Sequence, residues 1–152
     1  MIENSKNYHA PMHTAEHILN QTMVRMFGIS RSFSNHIERK KSKCDYQFDR
    51  PLTDEEIKKI NTLVNQIILK KYDVTEHFIS RPEASAEFDL SKLPEEKGET
   101  IRIIKVGDYD SCPCSGEHVK NTSEIGKFAI STVSHENGVL RIRYKLEEGQ
   151  GN

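Results

Sequence analysis

His13 and His17 lie four residues apart, and the same spacing recurs far downstream in Cys114 and His118. Four residues is just over one helical turn, so two imidazoles at that spacing on a helix project to the same side and can share one ion. Three imidazoles and one thiolate make a donor set that suits zinc, which is borderline-soft and usually tetrahedral. The two pairs are far apart in the chain, so only folding can bring them together. Cys112 stands two residues before Cys114. It could replace Cys114 as a ligand or sit behind it as a spare thiol, and the mirrored spacing favours Cys114. His9, His36, His77 and His135 have no partner at a useful spacing and read as surface residues. Cys44 falls in a strand pattern and reads as core.

A zinc with four protein ligands resembles a closed structural site, whereas a catalytic zinc keeps three protein ligands and an open position. The ligand count leaves both uses open. In the catalytic use, the ion would polarise a carbonyl and bring a bound water toward a pKa of about 7. A rival reading takes His13-Thr14-Ala15-Glu16-His17 as the inverted His-x-x-Glu-His pattern of zinc peptidases, with Glu16 as general base. Against it, Glu16 should point about 100° away from His17 on a helix, and Cys114 and His118 would have no role. The other rival is a non-catalytic module in which zinc is structural and the surface binds RNA or a protein.

These residues sit in a chain of 152, which predicts one domain spanning residues 1–152. Apolar residues make up 35% and charged residues 30%, the balance of a globular domain and not of a membrane-embedded or disordered one. No run approaches the roughly 20 apolar residues a membrane helix needs. The polar N-terminal stretch has no apolar signal core. A cytoplasmic protein with no membrane partner is expected, and an odd cysteine count fits free thiols in a reducing compartment. The net charge of -1 excludes a strongly basic molecule, so contact with a polyanion would depend on local clusters, of which Arg39, Lys40, Lys41 and Lys43 form the densest.

The elements that must position the histidines are legible. Ala15, Ile18, Leu19, Thr22, Met23, Met26 and Phe27 fall on one face of a helix from about His13 to Phe27, stopped by Gly28. Cys44, Tyr46 and Phe48 alternate with polar residues as in a half-buried strand, and Pro51 breaks it. Thr53 followed by Glu56 is a capping-box signature. Ile57, Ile60, Leu63, Val64, Ile67 and Ile68 then predict an amphipathic helix to about Lys71. Strands are expected at Val74–Ser80 and Ile101–Val106. Residues 81–98 read as loop with a short helical turn, and 149–152 as a frayed tail. Asn137-Gly138 between Lys127–Val133 and Val139–Leu146 is a hairpin signal. Two long helices with several mostly antiparallel strands predict an α+β domain.

His13-Thr14-Ala15-Glu16-His17-Ile18-Leu19 resembles the His-x-x-x-His-Ile/Leu-Leu motif of a tRNA-editing domain. That domain is the second additional domain shared by threonyl- and alanyl-tRNA synthetases, and it also occurs as free-standing AlaX proteins. Cys114-Ser115-Gly116-Glu117-His118-Val119 is similar to the second motif, Cys-x-Gly-Thr-His-Val. Asn121-Thr122-Ser123-Glu124-Ile125-Gly126 is similar to its Asn-Thr-Gly-Glu-Ile-Gly continuation, and Ile104 to Asp108 resembles the Ile-Gly-Asp stretch before it. The chain length resembles the short AlaX type. The sequence departs from the family where Glu117 replaces the Thr and Ser115 replaces a Gly.

The resemblance implies helices packed on an antiparallel sheet and one zinc at His13, His17, Cys114 and His118. It also implies hydrolysis of tRNA carrying the wrong amino acid, serine or glycine on alanine tRNA. Beyond the metal, Gly116 and Glu117 are the candidates for a catalytic part, Gly116 through backbone donors that could stabilise an oxyanion. Accepting serine while rejecting alanine requires a polar partner for the hydroxyl; Thr14, Thr22, Ser32 and Ser34 are candidates. Arg39, Lys40, Lys41, Lys43, Lys120 and Lys127 are candidate contacts to tRNA phosphates.

Overall fold

Helix α1 (Ala10–Phe27) carries the first histidine pair and organises the fold. The computed structural model describes residues 9–88, 90 and 100–147, so the expected C-terminal tail and part of the 81–98 segment lie outside the described residues. Pro11 sits in the first turn of α1, where its missing N–H breaks no helical bond. Gly28 ends the helix in the left-handed conformation (φ 67°) and donates its N–H to Val24 O at 2.8 Å. Ala15, Ile18, Leu19 and Met23 are fully buried, as the apolar stripe predicts. Burial nevertheless exceeds one stripe: every residue from Met12 to Asn20 is buried. The polar face, with His13, Thr14, Glu16, His17 and Asn20, is covered by distant loops and not by water.

Helix α2 (Asp54–Leu69) starts at the expected capping box. Glu56 N–H donates to the Thr53 hydroxyl at 3.1 Å, and Thr53 N–H donates back to the Glu56 carboxylate at 2.9 Å. Ile60, Val64, Ile67 and Ile68 are buried in one core with the apolar face of α1.

The sheet prediction needs one correction, because the strands form two sheets and not one. β1 (Ser34–His36), β2 (Ser42–Gln47), β6 (Lys127–Glu136) and β7 (Val139–Glu147) hydrogen-bond in the order β1-β2-β7-β6, all antiparallel. Cys44, Tyr46, Phe128, Leu140, Ile142 and Tyr144 bury one face of this sheet in the core shared with α1 and α2. At the expected hairpin, Asn137 (φ 54°) and Gly138 (φ 79°) both take the left-handed conformation that a tight two-residue turn requires.

β3 (Val74–Ser80), β4 (Thr100–Val106) and β5 (Asp110–Pro113) form a second antiparallel sheet in that order. Helix α3 (Arg81–Glu87) supplies the expected helical turn, capped by Ser80. Ala84, Ile101 and Ile103 make a separate small core there, which is why this sheet stands apart. β5 was not evident from sequence: it is four residues long and holds a proline, with no alternation to mark it. The α+β class is as expected. Among the described residues, no helix is long and apolar enough to cross a membrane.

Candidate metal centre and cleft

β5 runs directly into the loop that carries Cys114 and His118, and this loop lies on the polar face of α1. Two anchors hold it. Arg102 on β4 donates to Cys114 O at 2.8 Å and to Gly116 O at 2.9 Å, while Cys114 N–H donates to Arg102 O at 3.2 Å. From the α1 side, the Thr14 hydroxyl accepts Val119 N–H at 3.2 Å. A Cβ on residue 116 would come within 2.5 Å of His13 Cε1, so only Gly116 lets the loop backbone lie against that ring.

The result brings His13, His17, Cys114 and His118 together, with one ligand atom from each inside a mutual distance of 4.8 Å. His13 Nε2 is 3.3 Å from Cys114 Sγ; bonds of about 2.0 and 2.3 Å to a tetrahedral ion put two such ligands roughly 3.5 Å apart. Two of the rings are held from behind by hydrogen bonds at Nδ1, and the third faces a carboxylate there. His13 Nδ1 donates to Glu117 O at 3.0 Å, and since a carbonyl can only accept, the proton sits on Nδ1 and leaves Nε2 free. His118 Nδ1 meets Thr14 Oγ1 at 2.9 Å, and His17 Nδ1 faces Asp110 Oδ2 at 3.3 Å. His118 Nε2 is buried with no hydrogen-bond partner among the described residues. Three imidazoles gathered around a thiol, two with Nδ1 hydrogen-bonded and the third with Nδ1 facing a carboxylate, is an arrangement that can hold a metal. These residues fit a bound metal. Cys112 lies outside the group and lines the adjoining cleft, its thiol 3.4 Å from Pro113 O.

Electrostatics prepares the ligands. Burial opposes ionisation of Cys114, but the adjoining imidazoles of His118, His13 and His17 outweigh it and bring the thiol to about 2. Burial is the main reason His118 falls to about 4; Cys114 partly opposes this, and the neighbouring His17 and His13 add to it. Burial also pulls His17 down, yet Asp110 and Cys114 raise it well above its ordinary value. Asp110 is itself buried, which resists its ionisation, but His17 and Arg31 hold its carboxyl below the usual carboxylate range. Arg31 reaches it with two nitrogens, at 2.7 and 3.3 Å, and Gln21 donates to it at 2.8 Å.

Glu16 requires a correction. Helical geometry predicts that it points away from His17, yet its Oε1 lies 3.7 Å from His13 Nε2 and 3.9 Å from His17 Nε2. The Cβ directions do diverge, but the glutamate's long side chain swings across the helix face. Two amides fix it there: Asn20 and Asn35 each donate to Oε2 at 2.6 Å. Asn20 in turn accepts Ser32 N–H at 2.8 Å, and the Ser32 hydroxyl bonds to Asn35.

An open cleft of roughly 660 Å³ leads to this centre. Glu16, Asn20, Ser32 and Asn35 line it with polar groups, while Val24, Ile29 and Phe33 supply apolar surface. Of the candidate hydroxyls, Ser32 alone lines the cleft among the described residues. Thr14 stands behind His118. Thr22 bonds to Ile18 O and the Tyr109 hydroxyl, and Ser34 accepts from Lys43 Nζ at 3.2 Å. Glu117 is exposed, and its ordered contribution is the carbonyl on His13. Of the basic candidates, Arg39, Lys40, Lys41, Lys120 and Lys127 are exposed, whereas Lys43 is tied to Asp45 at 2.7 Å. Sequence reading missed Asp110, Arg31, Arg102 and Asn35, whose partners are distant in the chain. The four-residue spacing of Glu16 and Asn20 was a usable signal for that pair.

Residues 101–143 match the family model described as the Threonyl and Alanyl tRNA synthetase second additional domain. The chain is 37% identical over 132 residues to an alanine-tRNA ligase of Fervidobacterium nodosum, covering 86% of this chain and 15% of the relative. It is 34% identical over 123 residues to that of Pseudothermotoga lettingae, covering 80% and 14%, and 33% identical over 139 residues to that of Aeropyrum pernix, covering 87% and 15%. The chain therefore spans about 15% of the length of these relatives. Over residues 101–143 the chain is thus similar to the second additional domain of the threonyl and alanyl tRNA synthetases, and over most of its own length to a part of these alanine-tRNA ligases.

Proposed function

We propose that this protein is a trans-editing deacylase, a hydrolase that removes a wrong amino acid, serine or glycine, from alanine tRNA at a zinc site. The observation that carries this reading is the convergence of His13, His17, Cys114 and His118 beside a cleft, lined by the first three, with room for an aminoacyl ester. Similarity to alanine-tRNA ligases supports the choice of tRNA.

The four residues would hold zinc, which when bound supplies Lewis acidity and positive charge at the reacting ester. The rest falls to the chain's own groups. Glu16 Oε1 faces the reacting centre while Asn20 and Asn35 immobilise Oε2, so Glu16 is placed to take the proton of the attacking water and return it to the leaving ribose oxygen. The backbone of Gly116 borders the cleft where the ester carbonyl would lie. Ser32 and the amides of Asn20 and Asn35 present hydrogen-bonding groups to a substrate hydroxyl, which is the contact that separates serine from alanine.

The test is release of amino acid from Ser-, Gly- and Ala-charged alanine tRNA and Ser-charged threonine tRNA, with zinc content read on the same samples. Groups behind metal ligands are each worth about 10- to 100-fold in affinity or activity, so removal of a ligand in Cys114→Ala should cost at least about 100-fold and abolish zinc binding. Absence of release from every species, with one zinc still bound per chain, would sink the deacylase and favour a structural-zinc binding module.

A further inference from the structure

We infer that the β1–β2 hairpin is the arm that receives the single-stranded 3′ end of the RNA, with Phe33 stacking on its terminal base and Arg39, Lys40 and Lys41 contacting phosphates upstream. The inference rests on the aminoacyl-tRNA reading and adds to it the surface that binds the nucleic acid. Among the described residues the large exposed hydrophobic side chains are Phe33, Leu69 and Phe78, and of these Phe33 alone lines the cleft. It is 41% exposed, an expensive position for an aromatic ring that none of the described residues covers fully. Its backbone is not loose: Phe33 N–H donates to Asp45 O at 2.9 Å, and two residues earlier Arg31 is clamped on Asp110. A ring held on a rigid backbone at the mouth of a polar cleft is a stacking platform.

The chemistry of the substrate places a base there. An amino acid esterified to the 3′-terminal ribose brings its ester to the cleft floor, so the ribose and flat base remain at the mouth. From Phe33 the chain continues along β1, paired with β2 in the register Ser34↔Asp45 to His36↔Lys43. At about 3.3 Å per residue, Phe33 and the hairpin turn are on the order of 10 Å apart. In that turn Arg39, Lys40 and Lys41 are exposed and make no ion pair with another described residue, whereas His36 is matched with Glu38 and Lys43 with Asp45. Charge is therefore free at the tip and neutralised along the shaft, which suits a strand whose base sits at the cleft and whose phosphates pass the tip.

The probe is uncharged alanine tRNA carrying 2-aminopurine in place of its 3′-terminal adenine, whose fluorescence is quenched on stacking. The native protein should quench it saturably. Phe33→Ala should abolish the quench and weaken binding about tenfold, within the range for loss of one stacked base, and Phe33→Tyr should restore both. Replacing Arg39, Lys40 and Lys41 together by Ala should leave the quench at saturation unchanged but reduce the log-log salt slope of binding by about two, at ~0.7 per single-strand phosphate contact. An undiminished quench in Phe33→Ala, or no quench by the native protein, overturns the platform. An unchanged salt slope overturns the role of the tip. Serine release from charged tRNA is measured in parallel. Quenching without release overturns the deacylase and leaves the arm standing, and release without quenching does the reverse.

Discussion

Thr14 makes two contacts through one oxygen, accepting Val119 N–H at 3.2 Å and meeting His118 Nδ1 at 2.9 Å. It thus fixes both the loop and the ring whose inward nitrogen has no partner among the described residues. Thr14→Val keeps the shape and removes the hydroxyl. We expect zinc affinity, measured by competition with a chromogenic chelator, to fall by about 10- to 100-fold, with the circular dichroism spectrum unchanged. Thr14→Ser should bind as the native protein does. Native-like affinity in the valine variant would show that something other than Thr14 orients His118. The threonine entered the sequence reading as a possible partner of the substrate, because a hydroxyl beside two histidines has no sign for which side it serves.

Among the strands, charge is paired across the β2–β7 ladder. Asp45 lies opposite Arg141 in register and accepts from its Nε at 2.7 Å, while Lys43 two residues earlier on β2 donates at 2.7 Å. Burial resists ionisation of Asp45, but Arg141 and Lys43 outweigh it and hold its carboxyl below the ordinary range. A carboxylate with a depressed folded pKa stabilises the protein above its unfolded value of roughly 3.9, and that stabilisation is lost as pH falls through the lower folded value. Asp45→Asn should therefore lower the thermal midpoint by a few degrees at pH 7, and the difference should shrink below about pH 4. A gap of the same size at pH 7 and pH 2 would show that ionisation of Asp45 contributes nothing. Period-two reading of this strand gave its inward residues correctly, Cys44 and Tyr46, yet could not show that Asp45 between them is buried by its partners.

For the molecule as a whole, the join between α2 and the larger sheet is made by two asparagines. β6 is an edge strand with backbone groups that lack a strand partner. Asn65 accepts Phe128 N–H at 2.9 Å and donates to Phe128 O at 2.8 Å, and Asn61 accepts Ile130 N–H at 3.0 Å. The helix so occupies an edge that would otherwise invite another chain. Asn65→Leu leaves both Phe128 groups without their partner. It should cost about 2 kcal/mol or more in urea unfolding, and it should promote association at higher concentration. Any zinc content should equal that of the native protein, because this join is separate from the candidate metal centre. Loss of the metal in that variant would contradict the separation.

Much of the molecule is determined by local pattern. The ligand types and their four-residue spacing, the Thr53–Glu56 cap, the Asn137-Gly138 turn and the apolar stripes of α1 and α2 each depend on residues a few positions apart, and helical or strand period exposes them. Only tertiary structure decides what stands behind each ligand. Asp110 on His17, Thr14 on His118 and Arg102 on the Cys114 loop are partners brought from other elements. Hydrogen bonds between such positions carry no period and cannot be read from spacing. The turn of Glu16 toward the centre was decided the same way, by amides from both α1 and β1. The exposure of Phe33 and the division of the strands into two sheets, the smaller with its own core of Ala84, Ile101 and Ile103, are likewise tertiary outcomes that chain order alone does not specify.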